Sequence, residues 1–289
     1  MPLLVGTGDS GAEAISTGVF KPGDIMVQMG SSCYFVYLTD HLVSEDRLWP
    51  GNFIIPGTYS ICAGTNTVGT LTAWLRSELW RDAVIEETSG ENQAFSVMVE
   101  AARKIPPGSD GLICLPYFAG ERTSINDPQA CGAFFSLLTS HSRAPMTRAA
   151  LEGISCTIVQ HFDILAEDKL PVDKIMCVGG GTKNDVWLQI VADMLERPVH
   201  TSDITIGVSY GDALMAAIGS GCYQSWDNLS EAVKPARTIH PPARDLRYLP
   251  QAPSPVQPAL SGHTLPGARA DRRGPEVMTG HITGDTGVH

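Results

Sequence analysis

No Cys-x-x-Cys pair occurs among the seven cysteines at 33, 62, 114, 131, 156, 177 and 222, and their number is odd. That scatter excludes a disulfide framework and a zinc site, and leaves the thiols as small buried hydrophobes of a reducing compartment. Basic charge is scarce as well: 20 Lys and Arg stand against 31 Asp and Glu, a net charge of −11. Binding to a phosphate backbone needs clustered Lys and Arg, so nucleic acid is excluded as a partner. No apolar run approaches the roughly 18 residues that span a bilayer. The opening "MPLLVGTGDS" has neither the charged nor the long apolar region of an export signal. The expectation is a cytoplasmic protein with no membrane partner. Phe and Trp are missing from 241–289, where eight prolines fall and no periodicity persists. Residues 236–289 are therefore expected to form a disordered tail.

Against these absences, 43% of the residues are hydrophobic, enough for a sizeable core. From 1 to about 224 short apolar runs ended by glycine alternate with stretches of helical period, which predicts one α/β layered domain over 1–235. The expected strands are Leu3–Val5, Ile25–Met29, Cys33–Leu38, Tyr59–Cys62, Ile113–Leu115 and Ile175–Val178. The expected helices are Gly11–Thr17, Val68–Leu79, Asn92–Lys104, Thr147–Ala166, Asp185–Leu195 and Gly211–Gly219. Only Gly30-Ser31-Ser32 separates the second and third strands, so these form a tight antiparallel hairpin.

Three glycine-containing turns carry the candidate chemistry. The first, "GTGDSG" at 6–11, has the spacing of a dinucleotide-binding loop. Against that reading, which stays as the weakest alternative, Gly18 and Lys21-Pro22-Gly23 end the helix early and a hairpin follows where a parallel strand is required. Asp9 would also set a carboxylate against a pyrophosphate. An ordinary strand-to-helix turn with Asp9 as N-cap explains the loop equally well. The second, "MGSSCYF", presents backbone N–H groups and two hydroxyls from Gly30, Ser31 and Ser32, suited to phosphate oxygens without a positive side chain. The third, "VGGGTKNDVWLQIVADML", sets Gly179, Gly180 and Gly181 before a helix that opens near Asn184-Asp185. Without Cβ atoms a flat ring can lie on backbone there, and Asn184 can reach a ribose or a base edge. Lys183 and Asp185 read as solvated charges at the helix start.

In this order and at these distances the three turns resemble the second domain of the FGGY carbohydrate kinases. "GTYSICAGTNTVGTLTAWLR" resembles the segment in which a glycine, here Gly69, lies by the nucleotide before Trp74. "CLPYFAGERTSINDPQACGAFFSLL", "TRAALEGI" with Glu152 and Gly153, and "YGDALMAAIGSGCY" resemble further stretches of that domain, so the likeness runs from residue 1 to about 224. The base loop is most like that of the xylulokinase branch.

The resemblance implies one lobe of the actin-like ATPase, ribonuclease-H-like fold shared by sugar kinases, hexokinase and actin. It implies ATP-dependent phosphorylation of a sugar or ketose hydroxyl, with Asp9 as the catalytic base. Gly30, Ser31 and Ser32 would hold ATP phosphates, Gly69 would lie by the nucleotide, and Gly179, Gly180, Gly181 and Asn184 would form the adenosine site. The family's magnesium-linked aspartate and most sugar contacts belong to a first lobe that this sequence does not contain, so Mg2+ would come with ATP and no metal ligand is expected here. Activity would then need an N-terminal lobe supplied as a partner or through association of the chain with itself. The second reading is an inactive fragment or nucleotide-binding remnant, which a start at the second lobe and an end without the family's tyrosine-bearing helix imply. Two departures fall inside the match: Ser136 replaces a glycine and Pro145 a polar residue.

Overall fold

The computed structural model describes residues 3–90, 93–204 and 206–242. A short helix α1 (Asp9–Ser16) leads into β1 (Asp24–Met29) and β2 (Cys33–Thr39), which form the predicted hairpin with Met29 opposite Cys33. β3 (Trp49–Asn52) and β4 (Tyr59–Thr65) extend it antiparallel. Three helices follow, α2 (Gly69–Leu79), α3 (Arg81–Thr88) and α4 (Ala94–Arg103), then the two-stranded sheet of β5 (Ile113–Leu115) and β6 (Ala133–Phe135). The long helix α5 (Arg143–Glu167) returns the chain to β7 (Lys174–Val178), parallel to β1. Then come α6 (Asp185–Leu195), β8 (Val199–Thr201), α7 (Val208–Gly219), α8 (Trp226–Ala232) and β9 (Arg237–Ile239). The large sheet runs β3-β4-β2-β1-β7-β8-β9.

β1 lies at the centre of that sheet, so its side chains are buried on both faces, as central strands require. Ile25, Val27 and Met29 point into a core shared with α2, α4, α5 and α6. Met26 points the other way and packs with Ala14 of α1, Val36, Leu38 and Met176. Beyond that layer Ala12 and Ile15 of α1 meet Leu214 and Met215 of α7 and Leu229 of α8. The C-terminal ends of the parallel strands β1 and β7 share one edge, where the hairpin turn and the glycine triplet come together.

Several expectations need correction. Leu3–Val5 is not a strand: Leu3 and Val5 are 94% and 90% exposed, and among the described residues no strand pairs with them. An apolar run becomes a strand only when a sheet edge receives it. Asp9 is not the N-cap of α1 but its first residue; Gly8 caps, and the Asp9 carboxylate accepts the Ser10 N–H at 2.7 Å. β9 lies beyond the expected boundary at 235, its Val199 to Ile239 pairing extending the sheet into what the composition marks as tail. The rest of that tail, from residue 243, lies outside the described residues, as does Asn92, the expected start of α4.

Candidate functional site

The hairpin turn is held by α2. The carbonyl of Gly30 accepts the Gly69 N–H at 2.9 Å, and that of Ser31 accepts the N–H groups of Val68 and Thr70, both at 3.1 Å. These are the donors a helix start leaves unpaired, so the turn caps the helix and is fixed by it. A Cβ on Gly69 would lie 2.5 Å from the Gly30 carbonyl oxygen, which only glycine avoids. Within the turn, the Gly30 N–H donates to the Ser32 carbonyl at 2.9 Å. Its amide is therefore spent, and the turn's remaining donors are the amides and hydroxyls of Ser31 and Ser32.

The glycine triplet divides its work. Gly179 has φ +89°, and Cβ atoms at Gly179 and Gly181 would lie 2.7 Å from the Met29 carbonyl oxygen and 2.8 Å from its Cβ. A side chain at either position would collide with β1, so packing alone requires glycine at both. Gly180 meets nothing within 4 Å and is the one that leaves backbone open to a ligand. Asn184 then caps α6: its Oδ1 accepts the Trp187 N–H at 3.0 Å, while the Trp187 indole donates to Ser155 of α5 at 3.2 Å. With Oδ1 engaged, Asn184 offers the cleft its Nδ2 donor.

Between these turns opens a cavity of about 890 Å3. Gly30, Ser31, Gly69, Gly180, Gly181 and Asn184 line it together, facing Phe95, Ser96 and Val99 of α4 and Thr147 of α5. Six of the nine predicted site residues thus share one wall. Ser32 is not in that lining, and Gly179 lines instead a neighbouring cavity of about 340 Å3 with Gly180, Lys183, Thr182, Glu13 and Ser16 of α1 and Thr17 just after it. Asp9, exposed at the start of α1, lines neither. Its charge is felt nearby: burial pushes the Glu13 carboxyl above its usual range and Asp9 adds to the rise.

Sequence reasoning missed the α4 wall. The available signal is Phe95, an aromatic that stands off the buried stripe of Ala94, Met98 and Ala102 and remains 45% exposed, with Arg76 over its ring at 5.4 Å. It also missed Lys183, which lines both cavities. Glu152 is a structural acid, accepting from Gly108 N, Ser109 Oγ and Arg148 Nε at 3.1, 2.8 and 2.7 Å. Pro145 sits in the first turn of α5, where no intrahelical donor is required. Among the described residues no three His, Cys, Asp or Glu side chains gather to hold a metal ion, and no helix is long and apolar enough to cross a membrane.

Comparison with known proteins gives the family and the fold. The chain is 27% identical over 234 residues to the gluconokinase of Bacillus subtilis, covering 80% of this chain and 46% of that one. It is 29% identical over 232 residues to the xylulose kinase of Staphylococcus epidermidis, covering 80% and 45%. The crystal structure of xylulose kinase from Rhodospirillum rubrum superposes with a TM-score of 0.73 at 31% identity, over 81% of this chain and 46% of that one. The chain therefore spans about half the length of the curated relatives it matches. Its fold is that of sugar kinases, a lobe of the actin-like ATPase type. Residues 25–220 match the C-terminal domain of the FGGY carbohydrate kinases, and the chain belongs to that family.

Proposed function

We propose that the 890 Å3 cavity binds ATP and that Asp9 is the base of a phosphoryl transfer to a sugar or ketose hydroxyl. The observation that carries the reading is the convergence of three turns distant in sequence, at Gly30-Ser31, Gly69 and Gly180 to Asn184, on one cavity of ligand size. Gly180 and Asn184 receive the nucleoside, and the free donors of Ser31 face the phosphates. Mg2+ would come with ATP, held mainly by phosphate oxygens and water. When bound with the nucleotide it would supply neutralisation of charge on the phosphoryl group.

Phosphoryl transfer has a loose transition state with little bonding to the nucleophile, so the base mainly orients the hydroxyl and takes its proton late. An exposed carboxylate at a helix start can do this once the acceptor is held beside it. The sugar pocket would be supplied by the half that relatives carry and this chain does not match. A second reading, nucleotide binding without turnover, is favoured by Asp9 standing outside both cavities. Calorimetric titration with MgATP tests binding, and phosphorylation of xylulose and gluconate, alone and with a supplied N-terminal lobe, tests turnover. Binding with no turnover in either case would leave the second reading standing.

A further inference from the structure

We infer that Lys183 is the residue through which this lobe meets the charge of the nucleotide's phosphates. This deepens the ATP-binding reading above and rests on it. Four charged side chains line the large cavity: Glu100, Arg103, Lys183 and Asp185. Arg103 Nε is held by Glu100 at 3.0 Å, and Asp185 is held by Arg237 from outside the cavity at 2.8 Å. Among the described residues Lys183 has no carboxylate within ion-pair distance. Three of the four charges are therefore cancelled locally and the ammonium of Lys183 is not, although Asp185 stands only two positions further on. Arg237 accounts for that difference.

Position points the same way. Lys183 closes the glycine turn and lines both cavities, so it stands between the wall formed by Gly180 and Asn184 and the helix that begins with Asp9. A nucleotide whose nucleoside lies on the first wall and whose terminal phosphate reaches Asp9 must carry its phosphates past that side chain. Every other donor proposed for the phosphates is a neutral amide or hydroxyl. A flexible four-carbon stem ending in a compact charge with three donors suits a polyphosphate whose oxygens shift during transfer.

The test compares the full chain with Lys183→Gln and Lys183→Arg, titrated calorimetrically with MgATP and separately with adenosine, at low and high salt. Loss of a charged hydrogen bond should weaken MgATP binding about tenfold in Lys183→Gln. Adenosine affinity should stay unchanged, Lys183→Arg should retain most of the ATP affinity, and the salt dependence of ATP binding should flatten in the Gln variant. If wild type binds both ligands and Lys183→Gln binds MgATP equally well, the inference fails while the nucleotide reading stands. If Lys183→Gln loses adenosine as much as ATP, the residue shapes the turn and carries no phosphate role. If wild type binds neither ligand, the nucleotide reading falls and the inference with it.

Discussion

The guanidinium of Arg237 lies 2.8 Å from the Asp185 carboxylate and 3.3 Å from the Thr182 carbonyl, so β9 clamps both ends of the turn that carries Lys183 and Asn184. The pair is roughly half exposed, and such pairs contribute about 0–1 kcal/mol to stability. Its larger effect is electrostatic. Arg237→Ala frees Asp185 to draw on Lys183, so MgATP affinity is expected to fall several-fold while the denaturation midpoint barely moves. Calorimetry beside a urea titration checks both, and an equal loss of adenosine affinity would mean that the clamp acts on the turn's shape alone.

Asn184 caps α6 and, in the proposed reading, also donates to the nucleotide, and substitution can separate the two. Asp at this position keeps an oxygen to cap Trp187 N and sets a negative charge at a helix start, where it is stabilising. It removes the Nδ2 donor. Asn184→Asp is expected to fold with wild-type stability and to bind MgATP about 1–2 kcal/mol more weakly. Asn184→Ala should lose that affinity and about 1 kcal/mol of stability besides. Full affinity in the Asp variant would reduce Asn184 to a cap.

The clamp and the cap also mark how far sequence carries. The hairpin, α5, α6 and β7 are legible because local pattern and tertiary role agree: both faces of β1 are apolar, and α6 has a good cap and a continuous apolar stripe. β3 is illegible because Trp49-Pro50-Gly51-Asn52 reads as a turn; Pro50 is tolerated only because β3 is the sheet edge. α3 buries only Ala83 among polar residues, so it shows no period to find. β9 depends on β8 receiving it, which no local signal announces. The glycine triplet is legible as a tight turn, yet only the fold separates Gly180, which has open space where a Cβ would lie, from Gly179 and Gly181, pressed on Met29.

Ser136 stands where the family resemblance expects glycine, and the structure supplies the reason: its φ is +63°, the left-handed region. A residue with a Cβ is disfavoured there by roughly 1–2 kcal/mol, partly offset by the greater freedom of unfolded glycine. Ser136→Gly is expected to stabilise the domain by about 0.5–1 kcal/mol, and Ser136→Val to destabilise it. Denaturant midpoints of the three proteins decide; a Gly variant weaker than wild type would show that the Ser136 side chain has a role of its own.

Gly211 sets how closely α7 approaches the helix that carries Asp9. A Cβ there would lie 1.8 Å from the Ala12 carbonyl oxygen, so even alanine must push α1 away. Ala in a helix normally stabilises by about 1 kcal/mol over Gly. Here Gly211→Ala is expected to destabilise by about 1–3 kcal/mol, the cost of overpacking. Because the displaced element presents Asp9, any phosphorylation measured with a supplied first lobe should fall further than MgATP affinity, which depends on the other face of the sheet.

His161 gives the domain an acid limit unrelated to its site. The ring is 1% exposed within α5, edge-on to Phe35 at 5.0 Å, and neither nitrogen makes a hydrogen bond among the described residues. Burial pushes its pKa down to about 4; the Ile158 and Thr157 carbonyls lie near enough to oppose this slightly, and Arg122 adds to the depression. The folded state thus holds a neutral ring while the unfolded chain takes up a proton near pH 6.5. Between those two values the unfolded state binds more protons, so stability is complete above about 6.5 and declines as pH falls toward 4. The drop is at most about 3 kcal/mol. His161→Leu keeps an apolar side chain against Phe35 and cannot titrate. Urea titrations at pH 7.5 and 5 should show wild type losing more stability than His161→Leu over that interval, by about 2 kcal/mol. Equal losses in both proteins would assign the acid sensitivity to the carboxylates instead.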